Sequence, residues 1–73
     1  MNQNILQGRW KQLKGEARKQ WGKLTDDDVD RINGSYQELL GRLQERYGIA
    51  QNAAEEQVAD WMESLDKSLK SES

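Results

Sequence analysis

Apolar residues return at three- and four-residue steps along almost the whole chain, and not one proline interrupts them. Leu6, Trp10, Leu13, Ala17, Trp21 and Leu24 make one such stripe, which predicts an amphipathic helix of about 20 residues. Thr25 with Asp28 three positions on reads as a capping box with Asp in place of the usual Glu. Asp26 and Asp27 then fall in the first turn of a second, short helix, where the helix dipole favours anions. Its inward residues are Val29 and Ile32, and Asn33-Gly34 stops it. A third helix is predicted from about Ser35 to Tyr47, with Tyr36, Leu39, Leu40, Leu43 and Tyr47 on one side and Gly48 as its C-cap. A fourth starts near Gln51 and carries Ala54, Val58, Trp61, Met62 and Leu65. Its cap is weak, because Ala50 offers no side-chain acceptor. The expectation is one all-α domain over 1–66 and a frayed tail over 67–73.

The pattern repeats at an offset of 26 residues. Gly8, Trp10, Leu13, Gly15, Ala17, Trp21 and Gly22 align with Gly34, Tyr36, Leu39, Gly41, Leu43, Tyr47 and Gly48. Each copy is followed by an amphipathic helix. Two helical hairpins of related design, neither of which buries its stripe alone, are the simple structural reading.

The core of such a fold must be thin. The chain has 73 residues, 34% hydrophobic and 33% charged, with a mean hydropathy of −1.11. A domain of this size keeps only about 3–5 kcal/mol from one core. Each aromatic ring buries roughly 150–250 Å², so Trp10, Trp21, Tyr36, Tyr47 and Trp61 supply much of the apolar area. All five fall on apolar stripes and are expected in the core, which argues against a base-stacking platform.

Chemistry finds little to work with. Cys and His are absent, which removes thiolate chemistry and the commonest general base and metal ligand. Asp26-x-Asp28-x-Asp30 opens like a calcium loop, but Arg31 stands where the sharp-turn Gly belongs and Gln37 where the bidentate Glu belongs. Neither a phosphate loop nor a nucleophile elbow occurs. No enzyme activity, metal or cofactor is expected. No run approaches the roughly 20 apolar residues of a membrane span, and the N-terminal dozen residues lack an apolar signal core. A cytoplasmic location is the expectation.

Two surface features stand out. Residues 1–24 carry six basic side chains against one acid, a net of +5, and residues 25–73 carry five against twelve, a net of −7. Arg9, Lys11, Arg18, Lys19 and Lys23 lie off the first apolar stripe. They either face solvent or the acidic fourth helix (Glu55, Glu56, Asp60 and Glu63), or they present a surface to phosphates or other anions. Gly15 and Gly41 are each in mid-helix on the polar side, at a cost of about 0.5–1 kcal/mol relative to Ala. Exposed backbone there would let a partner approach closely; low stability could be useful in itself; or the cost is simply tolerated.

Several stretches resemble the CsbD-like family of small bacterial proteins. They are Gly8-Arg9-Trp10-Lys11-Gln12-Leu13-Lys14-Gly15, Gln20-Trp21-Gly22-Lys23-Leu24-Thr25-Asp26-Asp27-Asp28, Leu40-Gly41-Arg42-Leu43-Gln44-Glu45-Arg46-Tyr47-Gly48, and the acidic helix ending near Asp60-Trp61. The resemblance implies four helices as two orthogonally packed hairpins, a SAM-domain-like bundle. It also implies a role in general stress response without an established biochemical activity. Where the family often has a Ser- or Asp-type cap before the last helix, this chain has Ala50-Gln51-Asn52. The hydrophilic composition adds a resemblance to hydrophilin-type proteins associated with water loss. Three functions stay open: non-enzymatic protection, nucleic-acid binding through the basic first helix, and an adaptor or homodimer using the glycine face.

Overall fold

In the computed structural model, which describes residues 3–71, the apolar stripes turn inward on helices that follow the sequence spacing closely but break once where the spacing gives no warning. The described residues form five helices: α1 (Gln3–Gly8), α2 (Trp10–Gln20), α3 (Asp26–Ile32), α4 (Tyr36–Tyr47) and α5 (Gln51–Ser71). The first of the four expected helices is therefore two. Arg9 leaves helical geometry at φ −114° and ψ 13°. Its N–H still reaches the Ile5 carbonyl and its own carbonyl still accepts from Leu13, both at 2.9 Å. The break is a kink, so the stripe passes through it: Leu6 and Trp10 are both buried.

What lies against the kink is Gly34. This residue sits at φ +82°, and a Cβ on it would lie 2.6 Å from Gln7 Cα and 3.1 Å from Trp10 Cβ. Only a residue without a side chain lets the α3–α4 turn pass that close to the α1–α2 junction. Helix α2 also ends earlier than its stripe, with Trp21 extended at φ −123° and ψ 90°. Trp21 and Leu24 stay buried because the turn after α2 folds back over the core.

The remaining helix ends follow local chemistry. The Thr25 hydroxyl accepts from the Asp28 N–H at 3.1 Å, and the Asp28 carboxylate accepts from the Thr25 N–H at 3.0 Å, so both halves of the capping box form. Asn33 at φ 45° ends α3. Ser35 caps α4 by accepting from the Glu38 N–H at 3.3 Å, and Gly48 at φ 63° closes it. Helix α5 runs from Gln51 through Ser71; of the expected tail over 67–73, residues 72–73 lie outside the described residues.

All five helices line or border one core. It holds Leu6, Trp10, Leu13, Ala17, Trp21, Leu24, Val29, Ile32, Leu39, Leu40, Leu43, Ala54, Val58, Trp61 and Met62, with Tyr36, Tyr47, Ile49 and Leu65 packed at its edge. Helix α4 is the hub, packing on α3, α5 and α1, while α2 packs on α1 and α3. Trp21, at the end of the first copy of the repeat, meets Trp61 of α5, the helix that follows the second copy, edge to face with centroids 5.0 Å apart. The Trp10 indole N–H donates to the Val29 carbonyl at 2.7 Å, tying α2 to α3.

Candidate functional site

The basic side chains converge on the outer face of α2. Burial of Leu13 and Ala17 turns Lys11, Gln12, Lys14, Gly15, Arg18 and Lys19 outward. Their counter-charges come from α3. Arg18 pairs with Asp26, and Lys14 lies 3.7 Å from Asp30. Lys19 lies 3.7 Å from Glu16 one turn back. The acids facing this surface are thus on α3 and α2 itself, and the acids of α5 make none of these pairs. Among the described residues, Arg9 and Lys11 make no ion pair. Lys23 is set apart: its Nζ lies 5.2 Å from the Tyr47 ring centroid, and its backbone N–H donates to the Tyr47 hydroxyl at 3.1 Å.

Between α2 and α3 runs an open groove of about 520 Å³. Lys11, Gln12, Lys14, Gly15 and Arg18 form one wall, and Asp26, Val29 and Asp30 the other. A Cβ on Gly15 would meet nothing within 4 Å, and the same is true of Gly41 on α4. Neither glycine is required by packing inside the chain. Gly34 is the opposite case, and sequence reading gave it only a role as helix punctuation.

The aromatic residues divide into two groups. Trp10, Trp21 and Trp61 are 4%, 3% and 5% exposed, and the Trp21 indole N–H donates to Gln57 Oε1 at 3.0 Å. Tyr36 and Tyr47 are half-buried at the rim. Burial, with Glu55 nearby, pushes the Tyr36 phenol above its ordinary value.

One residue pair escaped the sequence reading. Asp28, at 1% exposure, is the one charged side chain buried among the described residues. Besides capping α3, its carboxylate receives a two-pronged hydrogen bond from Arg46 of α4: Nε to Oδ2 at 2.9 Å and Nη2 to Oδ1 at 2.8 Å. Arg42 adds a cation 4.0 Å away. The guanidinium of Arg46 outweighs burial and holds the Asp28 carboxyl well below the usual carboxylate range. The same bond holds the Arg46 cation more firmly charged. A clue was present in the sequence: Asp28 directly precedes the inward Val29, so a capping carboxylate at that place is carried towards the core.

Among the described residues, no three carboxylates cluster as a metal site would need. None of the described helices is long and apolar enough to cross a membrane.

A family model described as CsbD-like matches residues 4–56. Over 61 residues the chain is 54% identical to a UPF0337 protein of Pectobacterium atrosepticum, covering 84% of this chain and 88% of that protein. It is 51% identical over the same length to the UPF0337 protein YjbJ of Escherichia coli strain K12, with the same coverage. With a UPF0337 protein of Pseudomonas aeruginosa it shares 45% over 65 residues, 89% of this chain and all of that protein. No solved structure matches the chain.

Proposed function

We propose, from the premise that this chain belongs to the CsbD-like family, that it is a non-enzymatic, cytoplasmic bacterial stress-response protein whose hydrated surface protects its neighbours when water is scarce. One observation carries this reading. The residues best suited to recognition or chemistry are already occupied within the fold. The three tryptophans are in the core, and the buried carboxylate is held by Thr25 and Arg46. The outward faces are left charged and amide-rich, with many opposite charges paired along or between helices. Such a surface keeps a protein soluble when concentrated and separates labile proteins from one another. In the same reading the chain forms two orthogonally packed hairpins, a SAM-domain-like bundle; the packing of α2 on α3 and of α4 on α5 supports the pairing of helices into hairpins.

The test is a labile enzyme dried or frozen with this protein beside an equal mass of albumin. The expected outcome is higher recovered activity than with albumin; parity would overturn the reading. A phosphate-binding role for α2 is the second reading, favoured by the unpaired Arg9 and Lys11. It predicts DNA or RNA affinity that falls steeply as salt rises, and salt-insensitive or undetectable binding excludes it.

A further inference from the structure

The two unexplained glycines occupy matching places in the repeat, and the stripes around them carry opposite charge. On α2, the residues three and four positions from Gly15 are Lys11, Gln12, Arg18 and Lys19: three cations and no acid. On α4, the residues so spaced from Gly41 are Gln37, Glu38, Gln44 and Glu45: two acids and no cation. Residues at these spacings share a helix face. Gly15 and Gly41 are both exposed, and a Cβ on either would meet open space. Folding of the single chain therefore gives no reason for these glycines, whereas close approach of another helix would. Small residues at a crossing let two helices pack at the near end of the usual interaxial range of about 8–10 Å.

We propose that the Gly15 face of α2 in one copy docks against the Gly41 face of α4 in a second copy, a head-to-tail contact joining the basic stripe to the acidic one. The groove beside Gly15 gives the incoming helix a concave seat. The charges already paired do not block this. Arg18 with Asp26 and Lys19 with Glu16 are largely exposed pairs, and in the pair of Arg42 with Glu45 the carboxylate is the exposed partner. Exposed pairs contribute little to stability, so exchange of these carboxylates and cations for an intermolecular partner costs little. Asp26 and Asp30 on the far wall of the groove oppose an acidic helix, which limits affinity and places the contact over the α2 side. Because each copy carries both faces, the contact can pair reciprocally in a two-fold dimer or extend into rings and short chains. Association therefore grows with protein concentration and weakens with salt.

Sedimentation velocity from micromolar to millimolar protein tests this at ionic strengths of about 0.01 M and about 1 M, where charges are screened beyond roughly 30 and 3 Å. Wild type is expected to self-associate at low salt and to dissociate at high salt. Lys11→Glu with Lys19→Glu, or Glu38→Lys with Glu45→Lys, is expected to weaken association by at least about tenfold. An equimolar mixture of the two variants is expected to restore it. Gly15→Leu fills open space and leaves the circular dichroism of the chain unchanged, yet is expected to weaken association comparably. A monomer at millimolar concentration and low salt overturns the proposal. So does association that Gly15→Leu leaves intact, or a mixture of the two charge variants that stays monomeric.

Discussion

Asp28 shows how one side chain can join two helices. Its carboxylate is shielded from water, and three N–H donors meet it: the Thr25 backbone, and Nε and Nη2 of Arg46. A buried carboxylate is tolerated only when paired and hydrogen-bonded in this way. Asp28→Asn keeps an oxygen for the cap but sets a neutral amide against the guanidinium. It is expected to cost about 2–3 kcal/mol in urea denaturation. The pH dependence follows from the same pairing. A carboxyl held below its ordinary value of 3.8 adds stability above that value. The addition is lost as pH falls through the ordinary value towards the lower, folded-state one. Wild type is therefore expected to lose stability below about pH 4 more steeply than Asp28→Asn, and parallel curves from acid titration monitored by circular dichroism would contradict the assignment. The capping half of this role was legible in the sequence, because a capping box is a local pattern. The Arg46 half was not, because it depends on α3 and α4 folding side by side, which spacing along one helix does not encode.

At the scale of the helix, the chain contains glycines of opposite consequence. At Gly34 a side chain would meet both a left-handed backbone and the atoms of Gln7 and Trp10. Gly34→Ala is expected to cost about 2–4 kcal/mol, from the strain of positive φ together with displacement of the α1–α2 junction. Gly15→Ala and Gly41→Ala stand in open space and are each expected to gain about 0.5–1 kcal/mol. Thermal melts of the three variants should place the first below wild type and the other two above it. A fall in melting temperature for Gly15→Ala would mean that α2 is not helical there or that its face is covered. Helix ends set by side-chain caps and αL residues, at Thr25, Asn33 and Gly48, were readable from sequence because the signal and the structure lie within four residues of each other. The kink at Arg9 was hidden for the converse reason. The apolar step from Leu6 to Trp10 is the same whether the helix is straight or bent, and the glycine that accommodates the bend lies 26 positions away from Gly8 in the other half of the repeat.

For the whole molecule, the question is whether two related halves make one folding unit. The contacts say that they do. Trp21 of the first half lies edge-on to Trp61 of the second and bonds to Gln57. Lys23 joins Tyr47 through both its backbone and its ammonium, Asp28 joins Arg46, and Gly34 lies against Gln7 and Trp10. These contacts run along the entire seam, from the α1–α2 kink to the middle of α5. A thin core divided between two separate halves would leave each one too small to offset its chain entropy. Tryptophan emission samples the seam through Trp21 and Trp61, whereas far-ultraviolet circular dichroism samples all the helices. In a single cooperative unit both signals change together, so the two urea transitions are expected to share one midpoint. An earlier midpoint for tryptophan emission would show the halves parting before their helices melt. The seam contacts would then be an addition to two domains that fold independently.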